Sequence, residues 1–184
     1  MKNVNTYIIT LAVLILFWGC DKGPELTPIS QEGKNTFSCK VNGKVWIPNG
    51  TGDWFGVGNP INGGFMKNNA NELTICILTY MQDKTELQIF LKTTGVGIHE
   101  LNQKTNLRVR DFFPENYGWY RGSDGISFMT NPNQTGRVVI TKADTISGVV
   151  SGTFEFEGGN SLGQKVKITD GRFDINTKTK TVNL

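Results

Sequence analysis

Residues 36–47 (TFSCKVNGKVWI) decide the fold of this chain. Apolar and polar residues alternate on both sides of the central pair Asn42-Gly43, with the two-residue period of a half-buried β-strand. Asn and Gly accept the positive φ angles that a tight hairpin turn requires. The stretch therefore predicts a β-hairpin and sets the pattern for the rest of the chain.

The same pattern recurs further along. Residues 72–80 (ELTICILTY) and 85–93 (TELQIFLKT) predict a second hairpin, whose first strand is apolar on both faces, as in the centre of a sheet. Further strands are predicted at residues 126–129 and 136–142, a long one at residues 145–157, and two at residues 165–168 and 172–175 as a hairpin around residues 169–171. Residues 95–101 predict a turn and a short extended piece. Residues 49–71 are predicted to be mostly irregular, whereas residues 102–124 are polar with an aromatic cluster and show no clear pattern.

No stretch of the sequence keeps the 3.6-residue period of an amphipathic helix. The predicted class is therefore all-β, as an antiparallel β-sandwich of about eight to ten strands. A small closed β-barrel is the alternative. The distinction bears on function, because a barrel favours an enclosed ligand cavity.

The first twenty residues predict export. Lys2 precedes an apolar run of 12 residues, Tyr7 to Trp18, which Gly19 and Cys20 close. A membrane-spanning helix needs about 20 residues, so residues 1–19 are interpreted as a cleaved signal peptide rather than a retained anchor.

Residues 17–20 (FWGC) resemble the lipobox of bacterial lipoproteins. Gly19 and Cys20 match that motif, whereas Phe17 and Trp18 are bulkier than its usual residues. The resemblance implies that Cys20 carries a lipid such as palmitate, and a secreted chain with a free N-terminal cysteine is the alternative. Residues 20–35 are predicted to form a flexible tether and residues 36–184 a single β domain.

Residues 37–48 (FSCKVNGKVWIP) resemble the start of the folded domain in a family of uncharacterised lipoproteins from Bacteroidota. Residues 139–144, 146–148, 151–156 and 166–174 are similar to the closing segments of that family. The resemblance implies export, a β-rich fold and a lipid anchor in the outer membrane of the cell envelope, with the membrane face left open. It implies no catalytic or binding residue.

Composition argues against several functions. The net charge is +3, and removing Lys2 with the leader lowers it by one, so nucleic acid is not an expected partner. His99 is the single histidine of the sequence, which lacks HExxH and CxxC. No cofactor, metal or catalytic residue is therefore predicted, and His99 is interpreted as a surface residue.

Two cysteines follow Cys20, namely Cys39 and Cys76. Exported proteins keep disulfides, so a bridge between the two is one interpretation. The favoured interpretation is two buried free thiols that act as small apolar side chains.

Aromatic residues are concentrated in residues 112–121 (FFPENYGWYR). Such rings on a loop can form a platform for a glycan or peptide ligand. The favoured alternative is that they complete the core. The candidate platform residues are Trp54, Phe112, Phe113, Tyr117, Trp119, Tyr120 and Arg121.

Asp144-Thr145-Ile146 resembles the short O-glycan acceptor signal of exported Bacteroidota proteins, which would place a glycan on Thr145. The alternative is a polar hairpin corner.

The sequence as a whole predicts a lipid-anchored, exported protein of unknown activity that serves as a non-catalytic binding or structural module of the envelope. Two other functions stay open. Carboxylates are scattered along the chain, and a pair of them could serve a carbohydrate-active hydrolase. An apolar-ligand carrier would require the barrel.

Overall fold

The computed structural model describes residues 23–50, 58–68, 70–105 and 115–180. Its strands are β1 (Thr36–Val41), β2 (Lys44–Trp46), β3 (Ile61–Lys67), β4 (Leu73–Tyr80), β5 (Glu86–Leu91), β6 (Gly97–Glu100), β7 (Tyr117–Arg121), β8 (Ser127–Met129), β9 (Gly136–Asp144), β10 (Val149–Gly159) and β11 (Lys165–Asn176). A single helical turn, α1 (Thr177–Lys180), follows β11. The predicted all-β class is confirmed.

The described strands form one antiparallel sheet in the order β2-β1-β11-β10-β8-β7-β5-β4-β3. Strand β9 also pairs with β10, and β6 pairs with β9. The sheet curls strongly into a half-barrel, an arrangement between the predicted sandwich and the alternative barrel. We call β1, β9, β10 and β11 the β10 wall, and β3, β4, β5 and β7 the β5 wall.

The core lies between the two walls. Phe154 of β10 packs against Phe37 of β1, with ring centroids 5.1 Å apart, and against Phe173 of β11 at 6.3 Å. The β5 wall contributes Ile77 and Ile89 to the same cluster, both fully buried. Alternation along β10 and β11 thus sends one set of side chains into this core and leaves the outer face of these two strands mainly to polar residues.

The hairpin predicted from residues 36–47 is present. Val41 pairs with Lys44, and the turn residues Asn42 and Gly43 have φ angles of 48° and 83°. These angles belong to the left-handed region that a tight two-residue turn uses.

Strand β3 lies within residues 49–71, the segment predicted to be mostly irregular. Ile61–Lys67 pairs with β4 along its whole length. Its Asn62, Gly63 and Gly64 interrupt the apolar alternation, so the strand is formed by pairing with β4 rather than by local preference.

The hairpin predicted around residues 169–171 is wrong. β11 runs through this segment, and its register with β10 shifts between the pairs Phe154–Gly171 and Phe156–Ile168. Asp170 has a φ of 53°, as the extra residue of a bulge can have. The Asp-Gly pair therefore marks a bulge in a bent strand instead of a turn.

The folded domain begins earlier than predicted. Thr27 N–H donates to Ser38 Oγ at 3.0 Å, and Arg172 Nη1 donates to the Thr27 carbonyl at 3.3 Å. At the C-terminal end of the segment 27–35, Asn35 Oδ1 accepts a hydrogen bond from the Asn176 N–H at 2.9 Å. Residues 27–35, which we call the strap, are thus bound to the outer face of the β10 wall, and the predicted flexible tether does not extend into them.

Asp174 of β11 holds the strap. Its carboxylate, 1% exposed, accepts hydrogen bonds from the backbone N–H groups of Glu32, Gly33 and Lys34 and from Ser151 Oγ. Burial opposes ionisation, but the hydrogen bonds from Ser151, Lys34 and Gly33 outweigh it and lower the pKa of Asp174. The strap is therefore fixed by a charged acceptor inside the fold.

Candidate functional site

The predicted aromatic platform is only partly described, because Trp54, Phe112 and Phe113 lie outside the described residues. Tyr117, Trp119 and Tyr120 lie in β7, and they are 0%, 9% and 8% exposed. Tyr120 points into the main core, whereas Tyr117 and Trp119 occupy the opposite face of β7. These three rings are packed inside the domain and do not form an exposed platform. Arg121, at the end of β7, is exposed.

Tyr117 and Trp119 belong to a second apolar cluster with Cys76 and Phe90. The rings of Tyr117 and Phe90 stack with centroids 5.5 Å apart, and Gln88 Nε2 donates to Tyr117 Oη at 2.7 Å. Burial raises the pKa of Tyr117 far above its ordinary value. This cluster occupies the outer face of the β5 wall and gives that sheet two packed faces.

The indole N–H of Trp119 differs from the other polar atoms of this cluster. Nε1 is buried and has no hydrogen-bond partner within the described ranges. Trp46, by contrast, donates its Nε1–H to Thr85 Oγ1 at 3.0 Å. A buried donor without an acceptor costs free energy, so the indole of Trp119 is held by packing rather than by its polar atom.

Cys39 and Cys76 are free thiols, and the disulfide considered from the sequence is not formed. Cys39 lies in the main core, and Cys76 lies in the second cluster on the other face of the sheet. Burial raises the pKa of Cys76 to about 11 and raises that of Cys39 further. Both sulfurs therefore stay protonated near neutral pH and are poor nucleophiles.

A groove with charged walls runs along the outer face of the β10 wall. It consists of two adjoining cavities of about 460 Å³ and 280 Å³, which share Arg137 and Glu155. The charged residues that line this charged groove are Glu100, Arg137, Glu155, Glu157, Lys167, Asp170 and Arg172. We take the charged groove as the candidate functional site, because these charged side chains line one concave surface.

The register of three strands sets the centre of the charged groove. Arg137 of β9 pairs with Glu100 of β6 on one side and with Glu155 of β10 on the other. Arg137 Nη2 lies 2.8 Å from Glu155 Oε1. A guanidinium thus stands in a row between two acidic residues.

Two further acids of the charged groove also have cationic partners. Glu157 Oε1 lies 2.7 Å from Lys165 Nζ, and Asp170 Oδ2 lies 3.2 Å from Lys40 Nζ. The hydrogen bond from Lys40 is the main cause that lowers the pKa of Asp170. Exposed ion pairs of this kind add about 1 kcal/mol or less to stability, so their arrangement matters more for recognition than for folding.

These pairings bear on the predicted carboxylate pair. A glycosidase needs one carboxylic acid that holds a proton and a second carboxylate near it. Glu155 and Glu157 line the same cavity, but each forms an ion pair that requires the charged carboxylate. The charged groove is therefore better suited to hold a polar ligand than to donate a proton.

His99 lies in β6, at an edge of the sheet. Its Nε2 is 2.7 Å from the Gly95 carbonyl, and its Nδ1 is 3.4 Å from Thr93 Oγ1. Both ring nitrogens thus face groups of the adjacent loop, which gives the ring a local structural role.

Thr145 is exposed in the turn between β9 and β10. Asp144 starts this turn by accepting hydrogen bonds from the N–H groups of Ile146 and Ser147 and from Ser147 Oγ. The bonds from Ser147 are the main causes that lower the pKa of Asp144. The turn therefore has the hydrogen bonds of a polar hairpin corner. The glycan on Thr145 stays a prediction.

Two general features complete the site description. In the part of the chain that the structure describes, no cluster of three or more His, Cys, Asp or Glu side chains could hold a metal ion. Over the same residues, none of the helical structure is of a length and apolarity that would cross a bilayer.

Residues 65–175 match a family model described as Domain of unknown function (DUF6252). The chain belongs to this family. The DUF6252 match runs from β3 to β11 and contains the central residues of the charged groove, Arg137 and Glu155, together with Asp174. No curated protein and no solved structure matches the chain. The expectation of a domain of unknown function is thus confirmed, and residues 1–35 lie outside the DUF6252 match.

Proposed function

We propose that the protein is exported, trimmed before Cys20 and anchored by lipid on that residue in the outer membrane, where it displays a non-catalytic binding module. The apolar run of residues 7–18 and the Gly19-Cys20 pair support export and acylation. A β domain that starts at Thr27 follows the anchor after a few residues.

The observation that carries the binding role is the row Glu100–Arg137–Glu155 in the charged groove. Arg137 offers a planar fork of donors, and the flanking carboxylates accept hydrogen bonds from hydroxyl or amine groups. This set of groups fits a polar ligand such as a glycan or a peptide.

A hydrolase is the second candidate, because Glu100, Glu155 and Glu157 line one cavity. It would require Glu100 to act as the proton donor, since the other two are in ion pairs. A carrier of apolar ligands has less support, because the space between the walls is filled by packed side chains such as Phe154, Ile77 and Ile89.

Glycan and peptide arrays probed with the full-length protein in detergent test the binding role. We expect hits that Arg137→Ala reduces at least tenfold and that Arg121→Ala leaves unchanged. Arg121 is a matched control, because it is also an arginine in an ion pair, with Glu86 at 3.3 Å, but between β5 and β7 and outside the two cavities of the charged groove. Hits that both variants retain would move the ligand site away from the charged groove.

Polysaccharide digestion assays test the hydrolase alternative. Product release by the wild-type protein that Glu100→Gln abolishes would replace the binding proposal with an enzymatic one.

A further inference from the structure

Strand β6 forms an edge of the sheet. It pairs with β9 on one side and with no other strand in the described ranges. The Leu101 N–H donates to the Gly136 carbonyl at 2.8 Å, and the alternation of an antiparallel ladder then turns the backbone groups of His99 towards β9 as well. The N–H and C=O groups of Ile98 and Glu100 therefore point outward, away from β9. We call residues 96–100 the β6 edge.

The backbone groups of Ile98 are open to a partner. Asn116 Nδ2 donates to the Glu100 carbonyl at 3.2 Å, which occupies one end of the β6 edge. The N–H and C=O groups of Ile98 have no hydrogen-bond partner among the residues that the structure describes. On β3, at the other edge of the sheet, the Phe65 N–H is taken by Thr177 Oγ1 at 3.0 Å. Outward groups that stay unpaired can accept a further strand.

The side chains beside these groups are apolar and exposed. Val96 and Ile98 lie two positions apart and are 66% and 64% exposed. Of the large apolar side chains that are exposed in the described ranges, these two are the neighbouring pair along the chain. Natural sheet edges are commonly guarded by Lys or Pro, and residues 93–100 (TTGVGIHE) contain neither. The β6 edge therefore has the composition of a strand that receives a partner.

We propose that the β6 edge binds an extended peptide segment of a partner protein, which adds to the sheet as a further strand beside Ile98. The backbone of the peptide pairs with the open N–H and C=O groups of Ile98. Its apolar residues, at alternate positions, lie opposite Val96 and Ile98, and a Lys or Arg lies opposite Glu100. This site adjoins the charged groove, shares Glu100 with it, and stands whether or not the groove binds a ligand.

Two features favour a peptide over a second copy of the chain. Five residues of extended strand span about 17 Å, which offers much less surface than the about 800 Å² per partner of a stable dimer. Glu100 is exposed and forms no ion pair in the described part of the chain. Antiparallel pairing of two β6 edges about Ile98 would place each Glu100 opposite a Val96, whereas a peptide can supply the complementary cation.

A phage-displayed library of random ten-residue peptides tests this inference, with the full-length protein in detergent as the bait. We expect enrichment of peptides that carry two apolar residues at alternate positions and a Lys or Arg two positions before or after them. Failure to enrich any peptide, or enrichment without this alternation, would overturn the proposal.

Variants of the protein locate the binding of the strongest selected peptide, measured by fluorescence anisotropy. Ile98→Lys should weaken binding at least tenfold, because a charge on an edge strand opposes pairing. Ile146→Lys is the matched control, since Ile146 is 84% exposed in the turn between β9 and β10, and it should leave the affinity unchanged. Equal affinities of the wild type and both variants would contradict a site at Ile98.

Peptides methylated at single backbone nitrogens distinguish strand addition from docking of side chains alone, and they require no variant of the protein. Methylation should weaken binding at every second position, because only alternate N–H groups of a β-strand face the neighbouring strand. The same loss at successive positions would rule out strand addition.

Arg137→Ala separates this inference from the proposed function. A selected peptide that Arg137→Ala releases and Ile98→Lys retains would lie in the charged groove, which supports the proposed function and overturns the β6 edge. A peptide that Ile98→Lys releases and Arg137→Ala retains would support the β6 edge, whatever the arrays show for the groove.

Discussion

The Gly33 N–H donates to Asp174 Oδ1 at 2.8 Å across 141 positions of sequence. Asp174 lies inside the DUF6252 match and Gly33 lies outside it. One buried carboxylate thus joins the shared part of the family fold to the segment that precedes it in this chain. The strap is consequently part of the domain, and its loss should be felt in the stability of the sheet.

Asp174→Asn tests this connection. The amide keeps the shape of the carboxylate but loses the charge and one acceptor oxygen, so the donors from Gly33, Lys34 and Ser151 cannot all be satisfied. We expect a loss of about 2–4 kcal/mol in the free energy of unfolding, measured with urea. Asp170→Asn, which removes an exposed ion pair with Lys40, should cost about 1 kcal/mol or less. Equal effects of the two variants would contradict the role of Asp174.

The ionisation of Asp174 should also appear in the pH dependence of stability. The pKa of Asp174 is lower in the folded protein than its ordinary value of 3.8, so the unfolded chain binds a proton first as the pH falls. The contribution of Asp174 is therefore complete above about pH 5 and is lost as the pH falls through the folded pKa. Unfolding curves between pH 7 and pH 2 should show the gap between the wild type and Asp174→Asn closing in acid. A gap that widens in acid would contradict this assignment.

The two buried indoles should respond differently to Trp→Phe substitution. Trp46→Phe removes a hydrogen bond to Thr85, whereas Trp119→Phe removes an N–H that has no acceptor in the described structure. Both variants lose a similar volume of ring. We expect Trp46→Phe to lower the free energy of unfolding by about 1–3 kcal/mol more than Trp119→Phe does. A larger loss for Trp119→Phe would indicate that its indole N–H has an acceptor.

A fragment limited to the family match should not fold. Residues 65–175 lack β1, which pairs with β11 inside the match, and they lack the strap that satisfies Asp174. The loss of Phe37 also removes a ring that packs on Phe154. We expect residues 65–175 to show no cooperative thermal transition by circular dichroism and residues 27–180 to show one. A cooperative transition of the shorter fragment would mean that β1 and the strap are dispensable.

The elements that could be predicted from the sequence are those whose conformation is determined by neighbouring residues. The Asn42-Gly43 turn was predictable, because its two residues determine their own conformation. Strand β7 was not, because Gly118 interrupts the aromatic pattern. A Cβ at Gly118 would lie 2.7 Å from the ring of Phe156, so only the packed fold explains the glycine.

The candidate site shows the same limit. Glu155 and Glu157 alternate with Phe154 and Phe156, a pattern that by itself is enough to place both carboxylates on the outer face of β10, where they line the charged groove. Their neighbour Arg137 could not be assigned to them, because the register between β9 and β10 decides that contact. The hydrogen bond between Gly33 and Asp174 could not be predicted either, since a bond between distant segments leaves no local sequence pattern.

Mass spectrometry of the N-terminal peptide from protein isolated from its native membrane tests the central claim most directly. The account predicts a chain that begins at Cys20 and carries the added mass of acyl groups on that residue. A chain that begins at an unmodified Met1, recovered in the soluble fraction, would contradict the lipid anchor.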